Sequence, residues 1–241
     1  LHNETFYLDG IDAQEVGIRL QEPIKFTAAI PDVQSNNVPG RNGTLLTYSG
    51  AYGNRKGDVK CFALDEAVIS TIDDINDFLF SKFGYRRLEC SDDINHFWLA
   101  KVNHSARIEQ RMRTLAPFEL TFDCKPQRFL ISGEAPFEYL EPSFIVNPTR
   151  FAAKPLIVVY GTGPGVLTVG KTVVEIKELE DQVTLDCEVE NAYRQVGEGA
   201  PENKNKTVYA IPFPELLPGE NTVTWTGGIT SVRITPRWWT L

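Results

Sequence analysis

The stretch VVYGTGPGVL, residues 158–167, decides what kind of chain this is. Glycines after an apolar β-like run either cradle a phosphate or interrupt a scaffold of strands. A dinucleotide fingerprint needs G-x-G-x-x-G between a strand and the N-terminus of a helix. Here Gly161, Gly163 and Gly165 give G-x-G-x-G, with Pro164 inside it. The residues that follow, VLTVGKTVVEI (166–176), alternate as a strand, so no helix N-terminus is there to receive an anion. Gly170-Lys171-Thr172 imitates the end of a P-loop but also runs into a strand. The glycines therefore read as a turn, and the chain as a β scaffold.

Outward from this stretch the C-terminal half repeats the same grammar. PLIVVYG, GVLTVG, KTVVEIK, QVTLDCEV, TVYAIPF, NTVTWTG and ITSVRITP are short β-branched runs separated by Gly, Pro or Asn, the pattern of an all-β sandwich. LPGEN and TGG read as hairpin turns, and GEGAPENKNK (197–206) as a polar loop. In RWW, Trp238 and Trp239 are strand neighbours facing opposite sides, one expected to close the sandwich and the other to pack on a neighbouring domain. Upstream, CKPQRFLISGEAPFEYLEPSFIVNPTRFAAKP (124–155) carries five prolines and reads as an extended connection. Two domains are expected, 1–135 and 136–241.

The N-terminal half is also strand-rich. ETFYLDG, EVGIRL, IKFTAAI, DVKCFAL, RRLEC, HFWLAKVN and LAPFELTFDC alternate with period 2, placing Val16, Ile18 and Leu20, then Ile24, Phe26, Ala28 and Ile30, on one face. STIDDINDFLFSKFG breaks the rhythm: Ile72, Ile75 and Leu79 recur at helical spacing, with Phe78 and Phe83 broadening the apolar face. The spacing predicts a helix over about 70–83, capped by Ser70 or Thr71, with Asp73 and Asp74 near its positive end and Gly84 just past it.

Residues 31–57, PDVQSNNVPGRNGTLLTYSGAYGNRKG, hold five glycines and two prolines and little apolar periodicity. A stretch this long with no core of its own is unusual inside a compact domain. RNG between strand-like flanks favours a tight turn, hence an arm built as a long hairpin and held by something outside it. Val38, Pro39, Arg41, Leu45, Tyr48, Tyr52 and Arg55 are its candidate inter-subunit contacts.

Composition bounds the chemistry. The 241 residues carry 24 Lys and Arg against 32 Asp and Glu, a net charge of −8, which argues against a surface built for phosphate backbone. Cys61, Cys90, Cys124 and Cys187 lie far apart with no C-x-x-C pair, so buried free thiols are expected rather than a zinc site or disulfide framework. His96 and His104 lie too far apart along one strand to share a metal, and His2 stands alone. There is no G-x-S-x-G elbow, and Asp73-Asp74 and Asp92-Asp93 sit at a helix start and a turn. No catalytic, cofactor or metal residues are assigned, and no enzymatic activity is expected. LHNETFYLDG lacks the basic and apolar regions of a signal peptide, and no run is long enough to span a bilayer.

FYLDGID (6–12), VPGRNG (38–43), FDCKPQRF (122–129) with Cys124-Lys125-Pro126, NPTRFAAKPLIVVYGTG (147–163) and PRWW (236–239) together resemble the distal tail proteins of long, non-contractile-tailed bacteriophages and prophages. The resemblance spans nearly the whole chain. It implies a tail-tube-like β domain with one helix, six copies of which close a ring, and a C-terminal galectin-like β-sandwich. It implies a structural hub at the virion tail tip that lets DNA pass. The implied partners are further copies of itself, the tail tube and tape-measure proteins, the tail-associated lysin or fibre, and receptor-binding proteins, with no sequence-specific nucleic-acid or membrane binding. No cofactor is implied, and no sugar-contact motif carries over. The alternative is a carbohydrate- or cell-wall-binding adhesin acting through the C-terminal sandwich.

Overall fold

The computed structural model describes residues 4–64, 68–103, 115–197 and 199–241. The fold is mainly β, with one α-helix, Val68–Phe80, among the described residues. The chain divides into two compact units, Leu1–Arg128 with Leu241, and Phe129–Thr240. The division falls inside the strand Leu115–Leu130, ahead of the boundary at 135/136 expected from composition.

In the first unit, alternation builds a sheet ordered Ile11–Asp12, Phe6–Leu8, Arg86–Cys90, Asp93–Val102, Leu115–Leu130, Arg55–Leu64 and Ile18–Leu20, with Lys25–Phe26 also on Arg55–Leu64. Every second side chain turns to one face, where Phe6, Leu8, Leu88, Trp98, Leu120 and Phe122 form the core. The helix lays Ile75, Phe78 and Leu79 onto that face, and the Phe6 ring meets Phe122 edge-on at 5.3 Å. IKFTAAI does not hold its phase. Only Lys25–Phe26 pairs, and Ile30 is exposed because the chain there leaves the sheet.

The helix begins two residues earlier than its expected cap, so Ser70 and Thr71 fall within its first turn rather than before it. It also ends earlier, at Phe80, which moves Phe83 off the apolar face and into solvent. Arg86 holds this end. Its side chain is 6% exposed, donates to the Phe78 carbonyl, and donates from Nε to Asp9 Oδ2 at 2.9 Å. Asp9 also receives Lys82 Nζ at 3.0 Å and the Arg87 amide at 3.1 Å. Burial pushes the Asp9 carboxyl up, but the hydrogen bonds from Lys82, Arg86 and Arg87 outweigh it and hold the group below its ordinary 3.8.

In the second unit two long strands, Leu156–Val169 and Gly219–Thr235, run antiparallel and carry everything else. The first half of Leu156–Val169 pairs with Gln182–Asp186, its second half with Thr172–Ile176. The two ends of Gly219–Thr235 pair with Ser143–Asn147 and Phe137–Tyr139. Side chains from both halves, including Ile157, Val159, Leu167, Val169, Val223 and Ile234, meet in one core. Two strands of the proline-rich segment, Phe137–Tyr139 and Ser143–Asn147, thus belong to this sheet, and the segment is not a bare linker.

VVYGTGPGVL is not a turn. Gly161, Gly163 and Gly165 lie inside the continuous strand Leu156–Val169, where the register against the partner strand slips at a bulge. TGG is likewise inside Gly219–Thr235. The two glycine groups face one another at close range. A Cβ on Gly228 would sit 1.8 Å from the Thr162 carbonyl oxygen, and one on Gly161 would sit 2.1 Å from that of Gly228. Bulges bend strands, and the absence of side chains lets two bent backbones cross at this distance. The hairpin turn comes later, at Gly170-Lys171, with Gly170 at φ +57° between paired Val169 and Thr172. Trp238 is buried in this core, and Trp239 stacks on Phe151 of the same unit at 4.4 Å. All four cysteines are free and buried, as expected; burial pushes the Cys61, Cys124 and Cys187 thiols up to about 12 and raises Cys90 as well.

Gly228→Ala will destabilise the second unit by about 3 kcal/mol or more, because backbone must move. Gly163→Ala, with open space and only a positive φ against it, will cost about 1–2 kcal/mol. Urea unfolding of the two variants gives the comparison. Asp9→Asn will cost about 1–2 kcal/mol at neutral pH. Because the folded pKa is depressed, that stabilisation is present above the unfolded value of 3.8 and is lost as pH falls through the folded one. The gap between wild type and variant in unfolding midpoint will therefore close in acid.

Candidate functional site

The residues that the first core cannot use stand apart as a hairpin. Pro31–Asn37 and Thr44–Tyr52 pair only with each other, and every residue but Tyr52 is exposed. At about 3.3 Å per residue the longer strand reaches roughly 30 Å. At the tip the Arg41 amide donates to the Val38 carbonyl at 3.1 Å, around Pro39-Gly40 with Gly40 at φ +79°. The hydrogen-bonded turn is therefore Pro-Gly, with Pro39 fixing φ and Gly40 taking the left-handed position. Arg41-Asn42-Gly43 completes the connection.

The register gives the arm two unlike faces. Val33 pairs with Tyr48, Ser35 with Leu46 and Asn37 with Thr44 on one face; Gln34 pairs with Thr47 and Asn36 with Leu45 on the other. Tyr52, opposite Pro31, meets Tyr48 edge-on at 6.1 Å. One face thus carries a run of Val33, Leu46, Tyr48 and Tyr52, while the other is polar apart from Leu45. A bulge sits between these rings: Asp32 alone faces Ser49-Gly50-Ala51, and Gly50 takes φ +84°. Ser49 Oγ donates to Asp32 Oδ2 at 3.2 Å and pins it.

The base is fastened to the first core. Phe26 stacks on Trp98 at 4.3 Å, Arg55 lies over the Phe26 ring, and Arg55 Nε donates to the Thr27 carbonyl at 2.9 Å. Asn54 Nδ2 donates to Tyr85 Oη at 2.8 Å and Asp123 Oδ1 at 2.9 Å. Burial pulls the Arg55 pKa down, and the side chain serves its own subunit.

The seven candidate residues thus separate. Val38, Pro39 and Arg41 make the tip, Tyr48 and Tyr52 share the apolar face, Leu45 lies on the opposite face, and Arg55 is a root. Val33 and Leu46 belong to the exposed face and were not singled out by sequence; the alternation Thr44, Leu46, Tyr48 was the signal. Elsewhere, His96 Nδ1 lies 2.7 Å from Asp93 Oδ1, while His2 and His104 lie outside the described residues. Among the described residues no three His, Cys, Asp or Glu gather as a metal site, and no helix is long and apolar enough to cross a membrane.

No family model and no curated protein matches this chain. Among solved structures, the crystal structure of the Dit protein of phage SPP1 matches with a TM-score of 0.73, covering 100% of both chains at 13% sequence identity. The chain has the Dit fold. The SPP1 protein is described as a paradigm of the hub adsorption apparatus in phages infecting Gram-positive bacteria. The likeness is one of fold, end to end.

Tyr48 is predicted to deprotonate later than a free phenol, because its hydrogen bond with Tyr52 favours the neutral form. In Tyr52→Phe it should titrate at the ordinary position, which ring resonances of labelled tyrosine report.

Proposed function

We propose that this chain is a structural hub of a phage tail tip. Copies of it close a hexameric ring, the arm of each gripping the next, between the tail tube and the receptor-binding apparatus, and DNA passes through the opening. The observation that carries this reading is a full-length Dit fold whose first unit extends a hairpin with an uncovered apolar face. A closed ring needs two different surfaces on each copy, one offered and one receiving. An element that buries nothing in its own chain supplies the first. The role assigns the chain no reaction and no cofactor. It places the chain in the virion tail, with tail-tube, tape-measure, lysin or fibre and receptor-binding proteins as neighbours.

Light scattering on a sizing column across a concentration series tests this. The expected result is a species of about six times the 27.1 kDa chain. Joining Val33 to its partner Tyr48 by a two-residue turn removes the distal arm without touching the core and should reduce the mass to one chain. A chain that assembles equally well without its arm contradicts the proposed grip.

A further inference from the structure

The second unit leaves one sheet margin open. Among the described residues, Glu202–Asn203, Val208–Tyr209, Phe137–Tyr139 and Ser143–Asn147 are its bordering strands. A bordering strand carries unpaired amides and carbonyls, and proteins blunt it with charge, brevity or proline. The first two run for two residues each, and Glu202 is held by Lys204 at 2.9 Å. Phe137–Tyr139 has three residues, with Glu138 at its centre paired to Arg233. Ser143–Asn147, SFIVN, has five residues and none of these devices inside it. It pairs only with Gly219–Thr235, and no described residue bonds to the backbone of Ser143, Phe144, Ile145 or Val146 from the other side.

Antiparallel pairing turns the N–H and C=O of alternate residues toward one neighbour, so the remaining ones point away from Gly219–Thr235. The strand is already fixed in place. Ile145 is buried, and the Asn147 side chain donates to the Phe151 carbonyl at 2.9 Å and the Leu216 carbonyl at 2.8 Å. Phe144 and Val146, on the outer face, stay 54% and 52% exposed. Directly across from Val146 lies Glu220, exposed and without an ion-pair partner among the described residues.

These features define the occupant. Free backbone groups in a row call for a strand, and Phe144 and Ile145 call for apolar side chains beside them on the two faces. Glu220 calls for a cation. A Lys or Arg opposite Val146 can lay its stem over that side chain and bring its charge to the carboxylate. A second copy does not meet this demand. Pairing two such strands about Ile145 puts Phe144 opposite Val146, and residues 137–149 contain no Lys or Arg to offer at a shifted register. We infer that Ser143–Asn147 receives an extended segment of another protein as an added strand, antiparallel like the other pairings of this unit. That segment places a basic residue opposite Val146 and apolar residues opposite Ile145 and Phe144. The inference goes beyond assembly through the arm, and removing the distal arm should leave this binding unchanged.

The test titrates the whole isotope-labelled chain with a soluble peptide, Thr-Thr-Lys-Val-Phe-Thr-Thr, capped at both ends. Saturable shifts centred on the amides of residues 143–147 are expected, with slowed exchange of the outward ones. Methylating one alternate set of peptide amides should abolish binding and methylating the other should not, because only one set faces the strand. Replacing the peptide lysine by glutamate should weaken binding at least tenfold, and Glu220→Lys in the chain should reverse that preference. Glu220 is exposed, so folding is preserved. No saturable binding up to about millimolar peptide overturns the inference, as does binding that ignores the methylation pattern and the charge swap. Edge amides that become protected as the chain alone is concentrated would assign the strand to a second copy and overturn it too.

Discussion

A two-stranded sheet that buries neither face has almost no means of holding its shape in water. The hairpin Pro31–Tyr52 lives under that constraint, and much of the first unit is arranged around it. Its strands re-enter the sheet through the Phe26–Trp98 stack and the Arg55 hydrogen bond to Thr27, so its root is fastened even though its length is not packed. Ordering such an element costs conformational entropy that its own contacts return only in part. A neighbouring copy that covers the Val33, Leu46 and Tyr48 face offsets that cost.

The second unit solves a different problem with backbone alone. Two strands of 14 and 17 residues pair antiparallel along most of their length, and their register slips where both carry glycines. Opposed glycines at 161 and 228 let the backbones approach to a distance no side chain would permit. The glycines add conformational freedom to the unfolded chain that folding must remove, but the inward alternation stays intact on either side, from Ile157 and Val159 to Leu167 and Val169.

Much of this was legible in the residues. Strict alternation announced the strands, helical spacing announced the single helix, and four scattered cysteines announced buried thiols. The arm showed itself by what it lacked, a periodic apolar face long enough to build a core. The glycines misled because a turn and a bulge use the same residue for the same reason. Unbroken period-2 alternation through Ile157, Val159, Gly161, Gly163, Gly165, Leu167 and Val169 was the clue that the strand continued. The proline-rich segment read as a linker because proline is rare within sheets, yet its strands lie at the sheet's margins, where proline is tolerated. Phe83 read as core because helical spacing carries no information about where a helix stops. Only the Arg86 bond to the Phe78 carbonyl marks that end, and it depends on a strand eight residues further on. That Val33 joins Leu46 and Tyr48 on one face required the cross-strand register, which composition does not reveal.

Amide hydrogen exchange across a dilution series tests the central claim most directly. Two-stranded hairpin amides with no cover should exchange rapidly in the isolated chain. If the arm grips a second copy, residues 33–48 will become protected as concentration rises, in step with assembly, while the amides of both cores stay unchanged. Rapid exchange of the arm in the fully assembled particle would contradict the account.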